Sequence, residues 1–210
     1  MSGLANAFSQ DNPACLSCAG PASIESVVES SGISEEEVLS RLVYAESLST
    51  GFADNQKVYE AIAWGVMNRV RLGEAYPSMK RLYGEGIRGV IFKKGQFNPA
   101  VSKRSVFSKE FLCPQDDLRW KMASSAARKS IQGEGNPFIQ TPWEKERNIS
   151  LVVNFYYPCS VQAKNPLAPW ESSKGLKFVG DVTIDGQVLP ATQVRFYRLT
   201  RPPVDAGPHH

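Results

Sequence analysis

The chain has 210 residues, 42% hydrophobic and 21% charged, enough for one substantial core and too apolar for a disordered polymer. A net charge of +3, without clustered basic stretches and interleaved aromatics, excludes a nucleic-acid partner, although it suits approach to an anionic polymer. No apolar run approaches the roughly eighteen residues needed to span a bilayer, so no membrane span is expected, and Met1 to Gln10 lacks the pattern of a secretory signal.

Residues 1–21 are small, polar and aperiodic, which predicts a flexible leader or linker, with a single domain over 22–200 and a tail over 201–210. Ser34 and Glu37 have the spacing of a capping box, with Ile33 and Val38 as its hydrophobic staple, so a helix is predicted from Glu35 to about Leu48 with Gly51 as its stop. A second helix is predicted from Asp54 to Leu72, where Val58, Ala61, Ile62, Gly65, Val66 and Arg69 recur at helical spacing, and the two are expected to form the core pair. Shorter helices are expected at Pro77 to Tyr83 and Ile87 to Phe92. A longer one runs from Asp116 to Gln132, before Gly133. The period then changes: Val182, Ile184, Val188, Val194, Phe196 and Tyr197 surround Asp185-Gly186, a favoured two-residue hairpin turn. The fold class is therefore α+β, mainly helical, with a small antiparallel hairpin near the C-terminus.

The four cysteines provide too few ligands for zinc: Cys15 and Cys18 form a lone CxxC, and Cys113 and Cys159 stand far apart. Disulfides or free thiols remain. The two histidines, His209 and His210, end the chain and read as a tag remnant. With no internal histidine, Ser-His-Asp and Cys-His catalysis are excluded, as are imidazole metal sites; no metal and no cofactor is expected.

Glu46 falls four residues after Leu42 and three after Val43, at the end of the apolar stripe of the first helix. A carboxyl half-withdrawn from water resists ionisation and acts as a general acid near neutral pH, the chemistry that glycosidic cleavage requires. The plain alternative is a Glu at a helix rim that stays solvated.

Leu42-Val43-Tyr44-Ala45-Glu46-Ser47, the Ala61 to Val70 stretch ending in Asn68-Arg69-Val70, Gly89-Val90-Ile91-Phe92 leading to Gln96-Phe97, and Asn154-Phe155-Tyr156-Tyr157-Pro158 occur in that order. Together they resemble the SleB-type cell-wall hydrolases over roughly residues 33–199. The resemblance implies a lysozyme-like fold, a cleft for peptidoglycan, and cleavage between N-acetylmuramic acid and N-acetylglucosamine with Glu46 as acid. Two departures stand out: the nearest substitute for the family's second Glu is Asp54, and Tyr157 precedes Pro158 where the family has Asn.

Three ways of trapping the oxocarbenium-like centre follow. A second carboxylate acts as nucleophile at about 5 Å, or holds a water at roughly 6.5–9.5 Å, or the substrate's own muramic acid groups react, as in a lytic transglycosylase. Asp54 is the candidate second carboxylate, with Glu60 behind it; its plainer role is to cap the second helix. Gln96 is expected to hydrogen-bond N-acetyl or hydroxyl groups, Phe97, Tyr156 and Tyr157 to stack on sugars or to build core, and Ser47 to position a water. Asn68 and Arg69 read as structural. The alternatives to an enzyme are a non-catalytic peptidoglycan-binding module and an interaction domain of a secreted effector or phage particle. Work in the periplasm or cell wall would then require a delivery machine, a longer parent chain, or both, with a delivery or immunity protein as further partner.

Overall fold

The computed structural model describes residues 12–17, 20 and 22–204. Cys18, His209 and His210 lie outside them, as does most of the expected leader.

Helix α1 (Ile24–Ser31) opens on Ser23, whose hydroxyl accepts from the Ser26 N–H, and closes on Gly32 at φ +66°. Helix α2 (Glu35–Ser49) opens on Ser34 in the same way. The expected capping box is only half formed, because the Glu37 carboxylate turns to the buried Arg41 at 2.8 Å instead of to the Ser34 N–H. Arg41 has no water to fall back on and gathers acceptors from three segments: Glu37, the Leu112 carbonyl at 2.7 Å and the Ala14 carbonyl at 2.7 Å. That grip fastens part of the expected leader. A Cys15–Cys113 disulfide and a bond from the Leu16 N–H to the Leu112 carbonyl hold it further, so residues 12–17 belong to the fold. Cys159 is free and exposed.

Helix α3 (Gln56–Ala75) starts later than predicted because Asn55, not Asp54, caps it, its side chain accepting from the Lys57 N–H. From Lys57 to Val70 it is buried on every side. It is the central helix, packed by α2, α4 (Pro77–Tyr83), α5 (Gly86–Ile91) and α8 (Asp117–Gln132). Helix α2 also packs extensively on α8, so the core is a three-way junction rather than a pair. Helices α6 (Asn98–Val101), α7 (Ser108–Leu112) and α9 (Pro142–Arg147) are short connectors.

Strands β1 (Val152–Tyr156), β2 (Leu176–Phe178) and β5 (Arg195–Leu199) form an antiparallel sheet in the order β1-β5-β2. Strands β3 (Val182–Ile184) and β4 (Gln187–Leu189) form the expected hairpin about Asp185 and Gly186, at φ +49° and +78°, the signs of a type I′ turn. Strand β1 lies on α3, where Gly65 makes the contact possible: a Cβ there would stand 2.8 Å from the Phe155 ring. The chain is thus α+β, with helices first and small antiparallel sheets late.

Candidate active site around Glu46

The last turn of α2 carries Glu46, with its side chain turned inward and only 6% of the residue exposed. Burial pushes its carboxyl pKa up to about 7, while Tyr157 and the Arg69 charge pull the other way. No basic side chain occupies that turn, and the partial negative charge of a helix C-terminus gives a carboxylate no welcome. The Tyr157 hydroxyl interacts with Glu46 but makes no hydrogen bond of good geometry with any described residue.

This carboxyl lines two hollows. The smaller, about 180 Å³, is walled by Ser49, Asn98, Tyr156 and Ser160; the larger, about 490 Å³, by Arg69, Tyr83, Asn154, Trp170, Leu176 and Leu199. Glu46, Gln96, Phe155 and Tyr157 belong to both. Among the described residues, Glu46 is the single carboxylate on either wall.

Each wall has a separate origin. Helix α3 delivers Arg69, the turn after α5 delivers Gln96 and Phe97, and β1 delivers Asn154 to Tyr156. Trp170 comes from the segment 157–175, which forms no helix or strand and folds back over the sheet. Three contacts pin that segment: the Tyr156 hydroxyl donates to the Asn165 carbonyl, Trp170 stands edge-on to Tyr197 at 6.0 Å, and Glu171 pairs with Arg195 at 2.8 Å.

The Arg69 guanidinium is buried among the rings of Phe97, Phe155 and Tyr83, at 4.8, 5.2 and 5.6 Å. Its Nε donates to the Val153 carbonyl and its Nη1 to the Gln96 side-chain oxygen. Burial lowers its pKa to about 10, which leaves it charged at neutral pH. Asn68 is structural, as expected, donating to the Val152 carbonyl at 3.0 Å and accepting from Asn136 at 2.8 Å.

Of the residues singled out from sequence, Glu46, Gln96, Phe97, Tyr156 and Tyr157 come together on these walls. Phe97 also belongs to the core. Ser47 does not join them: the residue after Glu46 turns about 100° around the helix and is fully buried, lining neither hollow. Asp54 is also elsewhere, its side chain 91% exposed and paired with Arg119 at 2.9 Å. Glu60 is buried against Lys57 at 2.9 Å, beside a separate hollow formed with Trp64 and Asp185. The sequence places Asn154 in the aromatic motif without a role at the site and does not single out Trp170. Asn154 was legible, since it begins the aromatic run on β1; Trp170 carries no local signal. Among the described residues, the buried Trp170 indole N–H and Tyr157 hydroxyl find no hydrogen-bond partner.

Comparison with known proteins finds no matching family model, no matching curated protein and no matching solved structure.

Proposed function

We propose that this protein cleaves peptidoglycan glycan strands between N-acetylmuramic acid and N-acetylglucosamine, on a lysozyme-like fold of the kind that the SleB-type resemblance implies. The observation that carries the reading is a carboxyl with its pKa raised to about 7 that lines two hollows with walls in common. A glycan lying across both would bring a glycosidic oxygen to Glu46, with sugar on each side of it.

Glu46 begins protonated and gives its proton to that oxygen as the C1–O bond breaks. A trap for C1 must follow. With Asp54 in solvent and no second carboxylate among the described residues on either wall, the trap that fits best is the muramyl C6 hydroxyl. Its oxygen bonds to C1 and its proton returns to Glu46, closing a 1,6-anhydro ring without consuming water. The activity proposed is thus that of a lytic transglycosylase, with Gln96, Tyr156, Tyr157 and Trp170 holding the strand. The Cys15–Cys113 disulfide supports action in an oxidising compartment such as the cell envelope.

Mass spectrometry of muropeptides released by wild type, Glu46→Gln and Asp54→Asn tests this. Anhydro ends from wild type and Asp54→Asn, and none from Glu46→Gln, are expected. Reducing ends would instead mean hydrolysis, and unchanged release by Glu46→Gln would overturn the proposal.

A further inference from the structure

We infer that Arg69 fixes the Gln96 side chain as a dedicated hydrogen-bond donor to the carbonyl of an acetamido group on the bound glycan, so that the site discriminates against N-deacetylated strands. The inference rests on the glycan-cleaving reading above.

An amide offers an acceptor at one end and donors at the other, whereas a guanidinium offers donors only, so the Gln96 atom that meets Arg69 Nη1 has to be Oε1. Arg69 is not free to turn aside. Its Nε is committed to the Val153 carbonyl, and its plane is enclosed by Phe97, Phe155 and Tyr83. The Gln96 amide therefore has one orientation, with its NH2 away from Arg69. That NH2 finds no acceptor among the described residues, and Gln96 walls both hollows.

The larger hollow adds two more unpaired polar groups among the described residues, the Trp170 indole N–H, which only donates, and the Tyr157 hydroxyl, which can donate or accept, while Leu82, Leu176 and Leu199 supply apolar wall. An acetamido group matches this set, with a carbonyl oxygen for the donors and a methyl for the leucines. Loss of the acetyl leaves an ammonium, which gives the Gln96 NH2 and the Trp170 N–H no acceptor, takes the methyl from the leucines, and brings a positive charge towards Arg69. In this arrangement Arg69 is a positioning residue acting through Gln96. Carboxylates of the peptide stem are acceptors too, so the test uses strands freed of peptides alongside intact ones.

The experiment measures kcat/KM on peptide-free strands, fully N-acetylated and chemically N-deacetylated, for wild type, Gln96→Glu and Arg69→Lys. Wild type is expected to prefer acetylated strands by about a hundredfold, the scale of leaving buried donors unpaired. Gln96→Glu keeps an oxygen for Arg69 and replaces the NH2 with a second oxygen, so the preference is expected to vanish or invert. Arg69→Lys loses the planar fork that orients Gln96, and the preference is expected to fall about tenfold. A merely structural Arg69 would lower both rates together and leave their ratio intact. A Gln96→Glu variant with the wild-type ratio overturns the inference; if it is inactive on both strands, an unchanged ratio in Arg69→Lys does so. Wild type that cuts both strands equally well defeats this inference alone, whereas wild type that cuts neither defeats the glycan-cleaving reading with it. A preference present only on intact strands assigns the acceptor to the peptide stem and likewise overturns it.

Discussion

Two buried glutamates in this molecule meet opposite fates. Glu46 is 6% exposed and Glu144 is 0% exposed, so burial alone would raise both pKa values. Glu144 closes a capping box at the start of α9, where it accepts from the N–H groups of Leu151, Thr141 and Gln140 at 2.8, 2.8 and 3.1 Å and pairs with Arg198 at 3.0 Å. Burial still pushes its pKa up, but those N–H donors outweigh it and hold the carboxyl below its usual range. Glu46 has Tyr157 in poor geometry and Arg69 without a salt bridge, and burial wins. Donor count, not depth, separates a structural anion from a candidate acid.

The contrast breaks most sharply at the acid. Glu46→Gln is expected to reduce glycan cleavage by about 10²–10⁴-fold, the usual scale of a general acid, in an assay of soluble fragment release. Glu144→Ala is expected to do the reverse, keeping the chemistry but costing about 3–5 kcal/mol in urea unfolding at neutral pH, because Arg198 and three N–H groups lose their acceptor.

The pH dependence sharpens the comparison. The folded pKa of Glu46, about 7, lies above the ordinary 4.5, so the native state holds a proton that the unfolded chain releases. Its contribution to stability is greatest below the ordinary value and declines as pH rises through 7, by roughly 3 kcal/mol in all. Glu46→Gln should thus match wild type near pH 4 and be the more stable protein at pH 8, as thermal unfolding at the two values would reveal; wild-type cleavage should fall over the same upper range. Glu144 runs the other way, its contribution present above the ordinary carboxyl value and lost as acid protonates it. The smallest expected effect is at Gly65. Gly65→Ala pushes a methyl towards the Phe155 ring and should cost about 1–3 kcal/mol of stability, with some loss of cleavage because Phe155 walls both hollows.

What was legible in the sequence was whatever neighbours along the chain decide. The apolar stripe of α2 brought Glu46 to the core edge, Asp116 and Gly133 bounded α8, and Asp185-Gly186 set the hairpin turn. Helix α1, not among the predicted elements, has its signals in Ser23 and Gly32, the residues that cap it. At α3, Asp54 is the expected cap, and the neighbouring Asn55, equally able to accept, takes the position instead. Strand β1 depends on pairing with β5 late in the chain, and the one-turn helices are too short to show a period. The same division runs through the site. Residues 96–97 and 156–157 follow from family-like motifs, whereas Ser47 is proposed for following Glu46 directly and Asp54 as the nearest substitute for the family's second Glu; helix geometry turns the first away and solvent takes the second.

The segment between β1 and β2 is longer than most structureless connections, yet Asn165, Trp170 and Glu171 tie it down near its middle. A tether there divides one costly closure into two shorter ones, each with less freedom to lose. It also makes a covalent bond just ahead of the ties dispensable. Val161 and Leu167 are exposed and Lys164 lies between them, so a tryptic nick at Lys164 should leave two fragments that stay together, with the Ser160 hydroxyl 3.2 Å from that of Ser49 before the cut and Trp170 against Tyr197 after it.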